Sequence, residues 1–251
     1  MEPTSRTRGT REPELPELDA GIRLLEVAGD EPPTGPLHSL VLDHLLLHEG
    51  GARWVDAGGH AVAQSLASLA PTTRPLDRIR VARGFTAQQH YALVRRLRDR
   101  VDDETALLVC PDLDRPYRDA EAYADESEDL LLRAVATLAG LANRRDVPVL
   151  VARSTADEFS APIEAAAAET LRCERTRFGP RFVGDEFETQ VYPTADGTVQ
   201  TTLALWRRVL AARAGLAETA EASHDETWCS RPEGDGTTAG PVPEVTARGA
   251  H

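Results

Sequence analysis

The chain has 251 residues, of which 41% are hydrophobic, and a formal net charge of -13. This length suffices for one α/β domain with tails, and the apolar runs are far shorter than the roughly 20 residues needed to cross a bilayer. The acidic balance argues against loose binding to DNA or to anionic membranes, because few cations are available to neutralise phosphates.

All 28 basic residues are arginine, and lysine does not occur in the sequence. With the acidic excess, this bias predicts a salt-adapted, halophilic protein, and a GC-rich genome alone is the alternative explanation. A Schiff-base lysine, a lysine general base and a P-loop lysine are all excluded. The N-terminus has no signal-peptide pattern, and three widely spaced cysteines indicate neither disulfides nor a metal site, so we expect a cytoplasmic protein.

The first elements follow a polar N-terminal segment. Residues 1–18 are rich in proline, glutamate and arginine, and we predict a disordered arm there. The α/β domain is predicted to span 19–216. It opens with a buried strand at Ile22–Val27 and a loop of glycine and proline, after which Pro36 is well placed to begin a helix that continues to Leu47.

Strands and helices then alternate along the chain. Further strands are predicted at Ala52–Ala57, within Leu76–Phe85, from Thr105 onward and at Pro148–Arg153. Helices are predicted near Ala61–Ala70, Ala87–Arg100 and Ser127–Arg144. Because the strands are nearly continuous in apolar residues, the pattern predicts an α/β fold with a mainly parallel sheet and helices on both faces.

The C-terminal part has a different pattern. Apolar and polar residues alternate in Thr176–Phe182, Phe187–Pro193 and Val199–Trp206, which is typical of antiparallel strands, and residues 195–197 form a suitable hairpin turn. We therefore expect C-terminal antiparallel hairpins. Residues 217–251 have little periodicity, and we predict a disordered acidic tail.

The order of these elements resembles a known family. A strand, a glycine-proline turn and a helix are followed by WVDAGG, RVARGFTAQQH, LLVCPDLDRPYR and PVLVARS. This succession resembles the ATPase core of RecA-like recombinases, especially the archaeal RadA branch, over roughly Gly21–Arg208. The most specific parts are Arg80–His90, similar to the third strand of the family, and Leu107–Arg118, similar to its Walker B strand. The resemblance implies a RecA-like P-loop fold.

The phosphate loop of that family has a degenerate counterpart here, comprising Gly29, Gly35, Pro36 and Leu37. The resemblance places Pro36 where the family has its phosphate-binding lysine. Leu37 stands where the family has the hydroxyl that binds magnesium. This loop is therefore predicted to have lost both phosphate clamping and magnesium binding.

Two further catalytic positions also depart from the family. The catalytic glutamate corresponds to Gly58 or Gly59, and the Walker B aspartate corresponds to Pro111. Phosphate clamping, magnesium ligation and water activation would all be lost together. The resemblance therefore implies a pseudo-ATPase without a cofactor, not an active enzyme.

Three functions remain open from the sequence. The first is a degenerate RecA/RadA-like binding or regulatory module, in DNA recombination or repair, whose protein partner is a RecA/RadA-like relative or a second copy. The alternative is a nucleotide-binding DNA repair ATPase with a rebuilt phosphate loop, using ATP, magnesium and an arginine such as Arg53 or Arg83. The third is a metal-dependent hydrolase using Asp56, Asp112 and Asp114, which would lie at the carboxyl ends of parallel strands.

The loops that correspond to the family's DNA-binding loops are 115–129 and 153–164. Acidic residues outnumber arginine in both, so the sequence argues against DNA binding. Tyr117 and Tyr123 could stack on bases. We therefore favour a protein partner over DNA.

A few other residues have chemical potential. His44 and His48 have metal-ligand spacing on one helix, but no third ligand accompanies them, and we predict no metal site. His90 is predicted to be a surface or capping group. Cys110, in an apolar strand, is predicted to be a buried and inert thiol.

Overall fold

The computed structural model describes residues 15–28, 33–118, 124–176, 179–184 and 206–215. All of them belong to one of two compact units of the chain, Met1–Ala217, and the other unit is Glu218–His251. The predicted acidic tail at 217–251 and most of the predicted arm at 1–18 lie outside the described residues.

Seven strands of the described chain form one sheet. They are β1 (Gly21–Val27), β2 (Gly51–Asp56), β3 (Ile79–Arg83), β4 (Thr105–Cys110), β5 (Pro148–Ala152), β6 (Glu169–Thr176) and β7 (Gly179–Val183). Their order is β3-β2-β4-β5-β1-β6-β7, and neighbours are parallel except for the antiparallel pair β6 and β7. The predicted α/β class with a mainly parallel sheet is confirmed. Its physical basis is clearest in β5, which is buried along its whole length.

Helices connect these strands. They are α1 (Thr34–Leu47), α2 (Ala63–Leu69), α3 (Arg74–Asp77), α4 (Ala87–Arg96), α5 (Arg115–Arg118), α6 (Ala124–Arg145), α7 (Ala161–Ala166) and α8 (206–215). Pro36 lies in the first turn of α1, where its missing N–H costs no helical hydrogen bond. Among the described helices, none is both long enough and apolar enough to cross a membrane.

Helices cover both faces of the sheet, as predicted. On one face, Leu40 of α1 and Leu66 of α2 share a buried cluster with Trp54 of β2. On the other face, Val94 of α4 and Leu138 of α6 belong to a second buried cluster. The chain thus leaves β2 toward one face and leaves the adjacent β4 toward the other, the topology for which α/β sheets have a ligand crevice at the carboxyl ends of the two strands.

Helix α8 packs on the same face as α1. Trp206 lies against Phe182 of β7, with 5.4 Å between the ring centroids. Arg213 donates two hydrogen bonds, of 2.9 and 3.1 Å, to the carboxylate of Asp43 on α1. Burial raises the pKa of Asp43 although the hydrogen bonds and charge of Arg213 oppose that change. The ion pair with Asp43 therefore joins α8 to α1, near the beginning of the domain.

The packed chain begins earlier than the predicted domain. Leu15 and Leu18 are buried in the cluster that contains α1, four residues and one residue before the predicted start at 19. Two separated leucines among proline and glutamate carry no periodic signal, which explains why the sequence placed them in the arm.

The expected antiparallel pairing in the C-terminal part is confirmed for β6 and β7. The strand predicted at Thr176–Phe182 is right in part, because Gly179–Phe182 lies in β7, whereas Thr176 ends the preceding strand, β6. Trp206 lies in helix α8 and does not end a strand. The remaining predicted strand residues and the hairpin turn, between 185 and 205, lie outside the described residues.

Candidate functional site

The candidate functional site lies in the crevice between the carboxyl ends of β2 and β4. Asp56 is the last residue of β2, and Asp112 comes two residues after β4. The positions that the resemblance assigned to catalytic residues, Gly58, Gly59 and Pro111, lie at the same edge. Because ligands of open α/β sheets bind at such crevices, chemistry is most expected here.

Asp56 is buried, and both of its carboxylate oxygens accept hydrogen bonds from protein donors. Its Oδ1 accepts the backbone N–H of His60 at 2.9 Å, and its Oδ2 accepts Arg83 Nε at 3.2 Å and the N–H of Ala61 at 3.3 Å. Arg83 also donates to the carbonyl of Ala61 at 2.7 Å. Arg83 therefore compensates a buried charge, and Asp56 holds the loop after β2 in place.

His60 connects the two carboxylates of the crevice. Its Nε2 donates to Asp112 Oδ2 at 2.8 Å, and Arg115 Nη1 donates to the same oxygen at 3.4 Å. Burial alone would raise the pKa of Asp112, but the hydrogen bonds and charges of His60 and Arg115 outweigh burial and lower it. His38 of α1 donates from Nε2 to the carbonyl of His60 at 2.7 Å, so this cluster also fixes the loop to α1.

The backbone of Gly58 lies against the contact between His60 and Asp112. A Cβ at position 58 would lie 2.7 Å from His60 Nε2 and 2.8 Å from Asp112 Oδ2. Asp112 itself has a φ of 46°, a left-handed conformation that aspartate tolerates better than most residues. A glutamate at position 58, one of the two positions that the resemblance assigned to the catalytic glutamate, would collide with this hydrogen bond.

We expect Gly58→Ala to destabilise the domain by about 1–3 kcal/mol, because the new methyl group overpacks a polar contact. Urea unfolding followed by circular dichroism measures this. The matched control is Gly215→Ala, because a Cβ at position 215 meets no atom within 4 Å. Equal stability of the two variants would contradict the packing at Gly58.

Asp114 belongs to a different network from Asp56 and Asp112. Its side chain is buried and accepts the N–H of Ser154 at 2.6 Å, the hydroxyl of Ser154 at 2.8 Å and Arg118 Nε at 2.6 Å. The aspartates proposed for a metal-dependent hydrolase therefore have separate partners. In the part of the chain that the structure describes, no group of three histidine, cysteine, aspartate or glutamate side chains could hold a metal ion.

The described residues of the degenerate phosphate loop pack against other parts of the domain. Gly29 lies outside the described residues, whereas Gly35, Pro36 and Leu37 form the first turn of α1. Leu37 is 0% exposed and belongs to the core. The indole of Trp206 covers Gly35, because a Cβ on that glycine would lie 3.7 Å from Trp206 Nε1. This side of the helix start is therefore packed against α8.

The two arginines proposed for a rebuilt nucleotide site have different partners and positions in the sheet. Arg83 ends β3 beside Asp56, at the carboxyl edge. Arg53 forms an ion pair with Asp102, which precedes β4, at 3.5 Å. Only Arg83 is thus positioned in the crevice.

Arginines in the two acidic loops are paired with carboxylates. Arg118 contacts Asp114 and Asp157, both at 2.6 Å, and Arg153 contacts Glu26 and Glu164. These cations are already neutralised within the protein, which weakens their attraction for a phosphate backbone.

Tyr117, one of the two tyrosines proposed to stack on bases, does not support DNA binding. Tyr117 is 1% exposed, and its hydroxyl forms a hydrogen bond with His90 Nδ1 at 2.8 Å. The suggested stacking role of Tyr117 is therefore wrong. Tyr123 lies outside the described residues.

The prediction that His90 lies on the surface is wrong, since its side chain is fully buried. Its backbone packs against Gly84, where a Cβ would approach to 2.8 Å, so α4 lies directly on the end of β3. Burial lowers the pKa of His90 to about 4.

The prediction that Cys110 is buried is confirmed. Burial raises the pKa of its thiol to about 12.

The rings of His44 and His48 stack on each other and are not placed as two ligands of one metal ion would be. Their rings stack at 4.3 Å between centroids, and His44 Nε2 donates to the carbonyl of Ala106 at 3.0 Å. Burial, reinforced by the nearby His48, lowers the pKa of His44 to about 4. His44 is therefore a neutral packing residue that joins α1 to β4.

Sequence reasoning missed His60, the residue that joins Asp56 to Asp112. The four-residue spacing between Asp56 and His60 was a signal, because an aspartate that ends a strand commonly accepts N–H groups of the following loop. The contact between His60 and Asp112 spans 52 positions and could not be read from local sequence.

Comparison with known proteins does not assign the chain to a family. No protein-family model matches the sequence, and no curated protein matches it. Any functional inference must therefore come from the residues and their geometry.

Proposed function

We propose that the chain is a RecA/RadA-like α/β domain that does not hydrolyse ATP and acts as a protein-binding or regulatory module in DNA recombination or repair. The observation that carries this proposal is the burial of Leu37 at the position of the magnesium-binding hydroxyl. A leucine side chain has no atom that can ligate magnesium, and this one is part of the core.

The start of α1 supports the same conclusion. A phosphate group binds at a helix N-terminus through exposed backbone N–H groups. Here Trp206 packs on Gly35, and Pro36 has no N–H to offer. Bound phosphate would have to displace the aromatic contact between α8 and α1.

The crevice between β2 and β4 supports the loss of catalysis. In an active site the carboxylates at this edge would orient magnesium and water. Asp56 and Asp112 instead accept hydrogen bonds from Arg83, His60 and Arg115. These carboxylates therefore stabilise the loops that form the surface of the crevice, and that surface is where we place partner binding.

The alternative, a nucleotide-binding protein with a rebuilt loop, has one observation in its favour. Arg83 lies at the carboxyl edge with 52% of its side chain exposed, where it could contact an anionic group. Calorimetric titration of Mg-ATP and Mg-ADP into the full chain, in high potassium chloride, separates the two functions. We expect no saturable heat. Saturable binding that Arg83→Ala abolishes would support the alternative.

Restoring the family residues is expected to damage the fold without restoring activity. In the variant Pro36→Lys/Leu37→Thr, we expect no ATP hydrolysis and a loss of on the order of 3 kcal/mol of stability, because a buried leucine is replaced by a smaller polar residue. The measurements are phosphate release and urea unfolding. Leu37→Met is the control, since a volume-conserving change should cost less than about 1.5 kcal/mol. ATP hydrolysis by the double variant would contradict the proposal.

A further inference from the structure

Two arginines lie over the groove between α4 and α6. Arg98 belongs to the short turn of 3-10 helix that continues α4, and its Nη2 donates to the hydroxyl of Thr137 on α6 at 3.1 Å. Arg144, near the end of α6, reaches back along its own helix to Gly140. A Cβ at position 140 would lie 2.8 Å from Arg144 Nη1. Both guanidinium groups therefore lie on one short stretch of α6.

The spacing on α6 brings the two charges close together. Thr137, Gly140 and Arg144 are three and four positions apart, so they share one face of the helix, with roughly 5–6 Å between successive Cβ positions. Thr137 is only 3% exposed, and Arg98 closes over it from the neighbouring helix. We call Arg98, Thr137, Gly140 and Arg144 the arginine groove.

The two arginines of this groove have no ion-pair partner in the described part of the chain. Arg133, one turn before Thr137, pairs with Asp129 at 3.3 Å. No carboxylate of the described residues lies within 4.0 Å of a guanidinium nitrogen of Arg98 or Arg144. Two guanidinium groups held this close repel each other, and an anion between them would remove the repulsion.

Gly140 is unfavourable in its place for the fold alone. It lies in the interior of α6, a helix of 22 residues, where glycine is less stable than alanine. Its missing Cβ leaves room for the guanidinium group of Arg144. The position of this side chain over the groove gives the glycine a physical reason.

We infer that the arginine groove binds the phosphate group of a phosphate monoester. Guanidinium groups pair with phosphate oxygens through two parallel N–H···O bonds, and two such groups can hold one phosphate from both sides. A monoester has a charge of about -1.5 to -2 at neutral pH, which two arginines compensate. Thr137 fixes the guanidinium group of Arg98 for this contact. The inference goes beyond the proposed function and does not depend on it.

Charge favours a monoester over the backbone of a nucleic acid. Each phosphodiester carries one negative charge, so a single group would leave one arginine of the pair uncompensated. A long polyanion would also meet the repulsion of a chain with a net charge of -13. The charge of a monoester is confined to the groove, where the two arginines lie.

The test is a titration of the full chain with inorganic phosphate near neutral pH, followed through the backbone amide signals in heteronuclear NMR spectra. Potassium chloride at equal ionic strength is the reference. We expect saturable shifts at Thr137 and Gly140, with a dissociation constant of roughly 1 mM. Arg98→Gln and Arg144→Gln should each weaken binding about tenfold or more, because each removes a charged hydrogen-bond donor. Dimethyl phosphate, a diester, should bind more weakly than phosphate.

Two matched variants separate the groove from a general effect of charge. Arg96→Gln removes an exposed arginine two positions before Arg98, outside the groove, and should bind phosphate as the wild type does. Gly140→Ala should raise the urea midpoint, because alanine is the better helix former, but should weaken phosphate binding, because the new Cβ displaces Arg144. Circular dichroism establishes that each variant is folded.

A phosphoserine peptide identifies the source of the phosphate. Tighter binding of this peptide than of phosphate, with no binding of the unphosphorylated peptide, would assign the groove to a phosphorylated protein. Equal affinity for the phosphopeptide and for phosphate would assign it to a free monoester.

Three results would overturn the inference: the same shifts with chloride, no saturation with phosphate, or an equal loss of binding in Arg96→Gln and Arg144→Gln. The nucleotide titration stays a separate test. Heat from Mg-ATP bound in this groove would persist in Arg83→Ala and disappear in Arg144→Gln, whereas a rebuilt nucleotide site in the crevice predicts the reverse.

Discussion

Acidification from pH 7 to pH 4 is expected to remove about 6 kcal/mol of stability through two buried histidines, about 3 kcal/mol for each. His44 and His90 have pKa values of about 4 in the folded chain, chiefly because burial disfavours the charged ring. The ordinary pKa of a histidine side chain is 6.5. His38 shifts in the same direction, again chiefly through burial.

The sign of the effect follows from proton binding. Between pH 6.5 and about 4, the unfolded chain protonates these rings while the folded chain leaves them neutral. Their contribution is therefore fully present above pH 6.5 and is lost as the pH falls through this window. Below about pH 4, both states carry the protons, and the histidines cause no further loss.

Urea unfolding at pH 7, 5.5 and 4.5 measures the free energy of unfolding across the window. The double variant His44→Gln/His90→Gln should lose most of the pH dependence, whereas His48→Gln, which changes an exposed histidine, should retain most of it. Comparison between variants cancels the general effect of net charge. A wild type as stable at pH 4.5 as at pH 7 would contradict the burial of these rings.

Asp114→Asn is expected to destabilise the domain by about 3–5 kcal/mol, the range found when one partner of a buried charged contact is removed. The carboxylate is fully buried and accepts three short hydrogen bonds, two from Ser154 and one from Arg118. An asparagine has one acceptor oxygen fewer, and its NH₂ group would face another donor. The loss would be measured as a shift of the urea midpoint at pH 7.

Asp157→Asn provides a matched comparison, because Asp157 contacts the same arginine at the same distance of 2.6 Å. Its side chain is 41% exposed, whereas that of Asp114 is 0% exposed. Water can replace the partner of an exposed carboxylate, so Asp157→Asn should lower the free energy of unfolding much less than Asp114→Asn does. Similar losses in the two variants would show that burial does not govern this network.

The strands that could be predicted are those whose burial is continuous. β4 and β5 are covered on both faces, so their apolar runs gave an unambiguous pattern. β6 was missed because it lies near the sheet edge with charged residues along it, such as Arg172, which pairs with Glu26 of β1. Its place depends on pairing with β1, and local sequence does not contain that information.

The site was harder to predict than the fold because its contacts are distant in sequence. The predicted parallel strands directed attention to the carboxyl edge of the sheet, where Asp56 and Asp112 lie, but not to His60, which joins them. His90 was misplaced because a polar side chain on an amphipathic helix is usually assigned to the surface. Ala87, His90 and Val94 in fact form the buried stripe of α4.

The ion pair between Asp43 and Arg213 has a consequence for how the chain folds as it is synthesised. Its partners are 170 positions apart, so the ribosome must release nearly the whole domain before α1 receives its covering helix. Until then the buried carboxylate of Asp43 lacks its arginine, and the core side chains that Trp206 covers remain in water. Contacts between such distant residues form slowly, and the nascent chain exposes apolar surface for that time. A chain that ends before residue 206 would remain in this incomplete state and should require a chaperone to stay out of aggregates.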